Sequence, residues 1–354
     1  MRVLVYGAGA VGGYLGARLC QHGHDVTLIA RPTTAAAIQS QGLAVTEDGQ
    51  TVRTHPRLAT SVAQAFMNQA AAYDLIILGM KSYDLVESLD PLVAFCPQPP
   101  MLVTTQNGIG VERPLIEQFG PEHVLAGSFT ILVRKETTHS LVAERTDGGF
   151  ALAPTQAGQA IGQWQTIGQW QQLFKEAGVN AVVVKDYQAM KWSKALLNIV
   201  ANASCAILNR SPETIYKSDI IYDLELRMIK EALAVMKVLK LKVVDLPGPS
   251  IPGFVTGVKR LPKLIFRPIL TNKVVSGRGE KMSSFYMDLA AGKGKSEVLF
   301  HNGAIAEAGA ANGVATPVNR ALSDILLKLT REEIDWREFD GKPKRLLAEV
   351  RQYE

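Results

Sequence analysis

The chain has 354 residues, 47% hydrophobic and 20% charged, with a formal net charge of +5. That length and ordinary globular composition suit about two domains. A membrane span needs about 20 apolar residues, and the nearest candidate, Ala195 to Leu208, is shorter and holds Asn198 and Asn202. Met1-Arg2 leads straight into Val3-Leu4-Val5-Tyr6 with no secretory pattern. Cys20, Cys96 and Cys205 are too scattered for a disulfide framework, which fits a reducing, cytoplasmic compartment.

The first 150 residues read as alternating strands and helices. Strands are expected at 2–6, 25–30, 74–79 and 101–105, each a near-continuous apolar run. Parallel strands covered on both faces read this way. Helices are expected from Ala10 to before Gly23, around Thr33 to Gln41, near Val62 to Ala71 and near Ser82 to Phe95. Leu43-Ala44-Val45 and Thr51-Val52-Arg53 read as a small β excursion. Strands at 124–133, 141–145 and 150–153 are expected to add to the same sheet in antiparallel fashion. The alternation implies an α/β, Rossmann-type doubly wound domain.

Near Asp186 the pattern changes to helical spacing. We expect a Rossmann-type domain over 1–185 and a mostly α-helical substrate or dimerisation domain over 186–354. Within the second, Leu246 to Arg278 carries Pro247, Pro249, Pro252, Pro262 and Pro268. Proline at that density argues against a long helix. The segment from about 239 to 279 is also basic. Between Lys237 and Lys281 stand ten Lys/Arg against Asp245 and Glu280 alone. A small anion, a polyphosphate cofactor, nucleic acid or a membrane surface are each compatible with such a patch. Interleaved prolines and the absence of a nucleic-acid module argue against the macromolecular partners.

Gly7-Ala8-Gly9-Ala10-Val11-Gly12 fits GxGxxG between a predicted strand and a predicted helix. Gly7 permits the tight turn, Gly9 lets backbone approach a pyrophosphate, and Gly12 lets helix pack on strand. The helix N-terminus supplies N–H groups and a positive dipole end. At the end of the second strand an acidic residue would select NAD by bonding the ribose 2′-hydroxyl. Here stands Ala30-Arg31-Pro32. The Arg31 guanidinium suits a 2′-phosphate, so NADP(H) is the expected cofactor.

Lys194, Asn198 and Asn202 are spaced i, i+4, i+8, one polar stripe if all lie on a single helix. Their neighbours are apolar. Such a stripe suits a substrate cleft, with a lysine as proton donor and asparagines for hydroxyl and carboxylate groups. The same spacing also suits a polar seam between helices. Lys191, one turn earlier, competes for the lysine role. No histidine spacing such as HExxH suggests a metal. Gly294-Lys295-Ser296 lacks the first glycine of a P-loop, and no GxSxG is present.

Taken in order, these residues resemble the ketopantoate reductase (2-dehydropantoate 2-reductase) family over almost the whole chain. The resemblance rests on the glycine loop, Arg31, Lys81 in Met80-Lys81-Ser82, Asn107 in Gln106-Asn107-Gly108, and the stripe after Trp192. It continues through Ser283-Ser284 with Asp288, Ser296-Glu297 with Asn302-Gly303, and Gly313-Val314-Ala315-Thr316-Pro317 with Asn319. The resemblance implies NADPH-dependent reduction of a small anionic 2-keto acid, with Lys194 as general acid. It implies that Asn198, Asn202 and Ser284 hold substrate, and that Lys81 and Asn107 line the nicotinamide side. Glu297 would bond the cofactor or order the site, although as the first residue of a helix it also suits a dipole partner. A homodimer is compatible with it.

The chain departs from the family at three points. The basic segment is long, Pro212-Glu213 stand where a further substrate asparagine is expected, and Asp84 replaces a neutral amide near the cofactor. A related 2-hydroxyacid or opine-type dehydrogenase, or a non-enzymatic NADP-binding regulator, remain the alternatives.

Overall fold

A computed structural model describes residues 1–67, 72–156, 161–278 and 282–354. The end of the helix expected over 62–71 lies outside these residues. The chain forms two compact units, one of Met1–Asn107, Val111–Met190 and Leu246–Ser250, the other of Gly108–Gly110, Lys191–Asp245 and Ile251–Glu354.

The first unit runs β1 (Arg2–Tyr6), α1 (Ala10–Gln21), β2 (Asp25–Ile29), α2 (Pro32–Gln41), β3 (Leu43–Glu47), β4 (Gln50–Thr54), β5 (Arg57–Ala59), α3 (Val62–Met67), β6 (Leu75–Leu78), α4 (Leu89–Phe95), β7 (Met101–Thr104) and α5 (Arg113–Phe119). It continues with β8 (Val124–Phe129), β9 (Leu132–Lys135), β10 (Ser140–Arg145), β11 (Phe150–Pro154), α6 (Ile161–Glu176) and β12 (Ala181–Val183). The main sheet has the order β12-β11-β8-β7-β6-β1-β2-β5. From β8 to β5 every pairing is parallel, and β11 joins β8 antiparallel. Chain order reverses beside β1, which has β2 on one side and β6 on the other. This is the switch point at which open α/β sheets bind ligands.

The apolar strands are covered on both faces, as their composition requires. Val3, Leu4, Val5 and Leu75 to Leu78 are fully buried. An aromatic chain crosses the core, from Tyr14 to Phe129 (5.7 Å between ring centres), Phe150 (5.9 Å) and Phe174 (5.0 Å).

Three expectations need correction in this unit. The strands β9 and β10 do not extend the main sheet. They form a second, four-stranded sheet in the order β4-β3-β10-β9. The Thr130 N–H bonds the Gly149 carbonyl and closes β8 against β11, so the hairpin between them leaves the main sheet and packs over α1. The α1 helix therefore lies between two sheets, which explains why it is apolar and glycine-rich nearly all round. Secondly, the helix expected from Ser82 begins as two 3₁₀ turns and becomes α-helical only at Leu89. The Ser82 hydroxyl bonds the Asn107 carbonyl (2.6 Å) and the Ser88 hydroxyl bonds the Leu85 carbonyl (2.6 Å), local bonds that compete with regular helix. Thirdly, β8 (Val124–Phe129) joins β7 in parallel rather than antiparallel fashion; β12, three residues long, was not foreseen.

The α7 helix (Tyr187–Asn198) carries the chain from the first unit into the second. Asp186 caps it, accepting from the Ala189 N–H at 3.0 Å. The second unit continues with α8 (Ala203–Leu208), α9 (Pro212–Tyr216), α10 (Asp219–Val238), α11 (Ile251–Arg260), α12 (Lys263–Arg278), α13 (Ser284–Ala290), α14 (Asn302–Ala311), α15 (Pro317–Thr330) and α16 (Pro343–Val350). Its core gathers Leu196, Ile207, Met228, Ile229, Phe285, Ile305, Leu322 and Leu346, all essentially without exposure.

The proline-rich stretch was expected to hold no long helix, yet α12 has 16 residues. The prolines sit where a helix tolerates them. Pro252 is the second residue of α11, and Pro262 stands just before α12, accepting from the Phe266 N–H at 2.9 Å. Only Pro268 is internal. The bond it cannot make would go to Leu264, which is 90% exposed, so water can take the carbonyl. Tertiary contacts hold the helix. Phe266 is buried against Gly257, where a Cβ would collide with its ring. Arg267 pairs with Asp219, and Lys263 reaches Asp223 at 2.7 Å, both on α10. Part of the basic charge is thus neutralised at the base of α12.

Candidate functional site

In the first unit the glycine loop joins β1 to α1. The Gly7 and Ala8 N–H groups both bond the Ile29 carbonyl at the end of β2 (3.1 and 3.2 Å). This pins the loop beside Ala30-Arg31. Gly7 has φ +109°, open to glycine, and a Cβ there would lie 2.8 Å from the Met80 nitrogen. A Cβ on Gly12 would strike the Gly7 carbonyl and Val5. These two glycines let α1, β1 and the end of β6 meet.

Gly9 stands at the N-cap of α1, with no side-chain cap and no acidic residue in the first turn. A Cβ on Gly9 would meet nothing nearer than the Gly79 carbonyl at 3.5 Å. An uncapped helix end beside an open backbone fits a pyrophosphate. The residues present therefore fit a dinucleotide. Gly7 to Gly12 would hold its phosphates.

Lys81 and Asn107 follow the neighbouring strands β6 and β7, so they share the C-terminal edge of the sheet with the loop. The Ser82–Asn107 bond ties the two positions together. Gln106, which sequence reading passed over, is buried between them and donates to the carbonyls of Leu78 (2.9 Å) and Met80 (3.1 Å). Arg31 is exposed at the N-cap of α2, one strand further along the same edge. Asp84 lies in the 3₁₀ turn after Lys81.

In the second unit the polar stripe is not on one helix. The α7 helix ends at Asn198, Ala201 takes a left-handed φ of +48°, and Asn202 is the N-cap of α8. Lys194 and Asn198 still share a face one turn apart, both half-buried. Asn202 is turned inward, 5% exposed. Its Nδ2 donates to the Asn198 carbonyl (3.0 Å) and reaches the Ser284 hydroxyl (3.3 Å), and its Oδ1 accepts from the Phe285 N–H (3.2 Å). Ser283 donates from its hydroxyl to the Asn202 carbonyl (3.0 Å). Asn202 thus fastens the start of α13 to the α7–α8 break, and leaves Ser284 exposed. By contrast, the buried Nδ2 of Asn198 has no hydrogen-bond partner among the described residues. A buried amide donor without an acceptor is costly, and a bound ligand oxygen would satisfy it.

The break has a cause that pattern reading missed. Glu225 on α10 is buried among Tyr222, Leu224, Met228 and Ile229. Its carboxylate accepts from the Ala201 N–H (2.8 Å), the Ser204 hydroxyl and the Tyr216 hydroxyl (3.3 Å). An acid on the apolar face of a helix was the available signal, since such a group must find partners.

Lys191 is buried in the same helix as Lys194. Glu297 is buried and opens a 3₁₀ turn, Glu297–Phe300, rather than an α-helix. The loop Gly108–Gly110 belongs to this unit, the Ile109 N–H bonding the Phe300 carbonyl at 2.7 Å. Asn319, part of the Pro317-Val318-Asn319 signature, is structural. Its N–H and that of Val318 both bond Glu231 (3.0 Å each), and its Nδ2 bonds the Met228 carbonyl (2.9 Å). Among the described residues, no cluster of histidine, cysteine and carboxylates could hold a metal, and no helix is long and apolar enough to cross a membrane.

Two family models match the chain. Ketopantoate reductase PanE/ApbA covers residues 3–156, and Ketopantoate reductase PanE/ApbA C terminal covers residues 186–330. The 2-dehydropantoate 2-reductase of Halobacterium salinarum is 26% identical over 339 residues, 94% of this chain and all of that protein. That of Lactococcus lactis is 25% identical over 320 residues, covering 90% and 94%. Among solved structures, a PanE/ApbA family ketopantoate reductase from Ralstonia eutropha has TM-score 0.77 at 23% identity, covering 94% of this chain and 99% of its own. A D-mandelate dehydrogenase with NADH and anilino(oxo)acetate has TM-score 0.76 at 21% identity, with the same coverage. The latter two likenesses concern the fold. Uncapped glycine loop, carboxyl-edge residues, helical second unit and both family models agree: the chain belongs to the ketopantoate reductase family, whose cofactor is NADP(H).

Proposed function

We propose that the chain reduces 2-dehydropantoate to pantoate with NADPH, in the route to pantothenate and coenzyme A. The observation that carries a keto-acid substrate is the buried, unsatisfied Nδ2 of Asn198, one helical turn from Lys194. A donor that must be satisfied and a cation on the same face suit a small anion bearing carboxylate and ketone oxygens.

When bound, the reduced dinucleotide supplies a hydride to the ketone carbon. The chain's own residues do the rest. Lys194 stabilises the negative charge that grows on the ketone oxygen and gives that oxygen a proton from Nζ. Asn198 donates from Nδ2 to a substrate oxygen. Ser284 offers its exposed hydroxyl, and Asn202 acts mainly by holding Ser284 and the Asn198 carbonyl in place. Arg31 binds the ribose 2′-phosphate; Lys81 and Asn107 line the nicotinamide side; Glu297 orders the site. The three free cysteines fit a cytoplasmic enzyme.

A second reading keeps the chemistry and changes the acid. Pro212 and Glu213 open α9 where the family resemblance implies an asparagine, so a 2-keto acid other than ketopantoate is the alternative. A panel of 2-keto acids assayed with NADPH decides between them. Highest kcat/KM with ketopantoate is expected. Turnover of another 2-keto acid with ketopantoate ignored would transfer the assignment, and no turnover of any would end it.

A further inference from the structure

The edge strand of the second sheet brings an unassigned cation to the face that packs on α1. Lys135 ends β9 and stands opposite Leu141 of β10 in an antiparallel register. Residues directly opposite in such a pair point to the same face. The face is identified by Leu141, whose Cδ1 would lie 3.0 Å from a Cβ on Gly13, in the first turn of α1. Val133, two residues back on the same face, packs on that core. Arg134 points the other way and is held by Glu144 (2.9 Å) and Glu136 (3.6 Å). Lys135 therefore lies on the face of this sheet that packs on the start of α1, the helix that the glycine loop opens.

Arg31, the N-cap of α2, is tied to the same loop. The bonds from Gly7 and Ala8 to the Ile29 carbonyl hold it two residues from the loop. The two cations feel each other: partial burial, and then the Arg31 charge, hold the Lys135 ammonium below the ordinary lysine range. Neither makes an ion pair with a carboxylate among the described residues. Two neighbouring cations without an acid between them repel, and a dianion placed there is bound by both.

We propose that Lys135 is a second cation for the ribose 2′-phosphate, sharing it with Arg31 and sharpening the preference for NADPH over NADH. The inference rests on the NADP(H) reading of the glycine loop and Arg31. Sequence position gives no hint of it, because Lys135 lies about a hundred residues beyond the motif.

The test is equilibrium binding, by calorimetry, of NADPH, NADH, 2′,5′-ADP and 5′-AMP to the full chain and to Lys135→Ala, Lys135→Arg and Arg31→Ala. Lys135→Ala is expected to weaken NADPH and 2′,5′-ADP by about ten- to a hundredfold, the usual worth of a charged hydrogen bond. NADH and 5′-AMP should change less than about twofold, and Lys135→Arg should restore most of the loss. Lys135 is on an exposed edge, so folding should survive; circular dichroism checks this, and Lys135→Gln repeats the test with a larger side chain. If the Lys135 variants bind 2′,5′-ADP normally while Arg31→Ala does not, the proposal fails and the NADP(H) reading stands. If neither residue distinguishes 2′,5′-ADP from 5′-AMP, both fail together.

Discussion

Asn202 donates from its side-chain amide to the backbone carbonyl of Asn198, 3.0 Å away, across the break between α7 and α8. The bond satisfies a carbonyl that the helix end would leave bare. It also separates the two asparagines by role. Asn198 keeps a buried donor with no partner among the described residues, whereas Asn202 is consumed in holding Ser284, Phe285 and the break itself.

The break depends on Glu225. Removing its carboxylate by Glu225→Ala deletes a buried acceptor shared by the Ala201 N–H and the Ser204 and Tyr216 hydroxyls. We expect a loss of about 3 kcal/mol in stability. Glu225→Gln retains one acceptor oxygen and should lose less. Denaturant unfolding measures both, and the milder variant should show a raised KM for the keto acid with little change in NADPH affinity. Equal, small losses for both substitutions would remove Glu225 as the cause of the break.

Lys194→Ala should lower kcat by about 10²–10⁴, the range for a lost general acid. Lys194→Arg keeps the charge but is a much poorer proton donor, and should recover substrate binding more than turnover. Steady-state kinetics on a thermally intact variant decides the point. Near-normal turnover in Lys194→Ala would pass the role to Lys191.

Arg31→Ala should raise KM for NADPH by at least about tenfold while leaving NADH almost unchanged. High salt should narrow the difference, because an exposed guanidinium is screened. A parallel loss for both dinucleotides would mean that Arg31 supports α2 rather than a phosphate.

Glu231 predicts a pH effect on stability. Burial raises its carboxyl above the ordinary value, and the bonds from Asn319 and Val318 oppose this without cancelling it. The folded chain then holds the proton more tightly than the unfolded chain. Its contribution is full below the ordinary value of 4.5 and is lost as pH rises through the raised one. Glu231→Gln cannot lose that proton. Wild-type Tm should fall relative to this variant as pH increases above about 4.5; parallel Tm curves would contradict the shift.

The α11–α12 segment separates buried from exposed apolar residues. Gly257→Ala places a methyl into the Phe266 ring and should cost about 1–3 kcal/mol. Leu264→Ser, at a side chain almost wholly in water, should change stability by less than about 0.5 kcal/mol. Unfolding midpoints of the two variants test the contrast.

Much of the first unit was legible in the sequence because its signals are local. Runs such as Leu75 to Leu78 must be covered on both faces, and a GxGxxG between strand and helix constrains backbone within six residues. Arg31 was readable as a strand-end position for the same reason, whereas Lys81 and Asn107 were singled out by the family resemblance. Local pattern also identified Lys194 and Asn198 as neighbours, since four residues on a helix make one turn. It failed where a distant group decides the outcome. Asn202 left the stripe because Glu225, more than twenty residues away, bonds the Ala201 N–H and stabilises a left-handed turn. The proline-rich segment is helical because Phe266, Arg267 and Lys263 find partners on α10 and α11. The hairpin of β9 and β10 joined a second sheet because closure of β8 on β11 excluded it from the first, and this alone put Lys135 on the sheet face that packs on α1. Periodicity and motif spacing specify what a segment can form by itself; which buried polar groups are satisfied, and by whom, is settled only when remote parts of the chain meet.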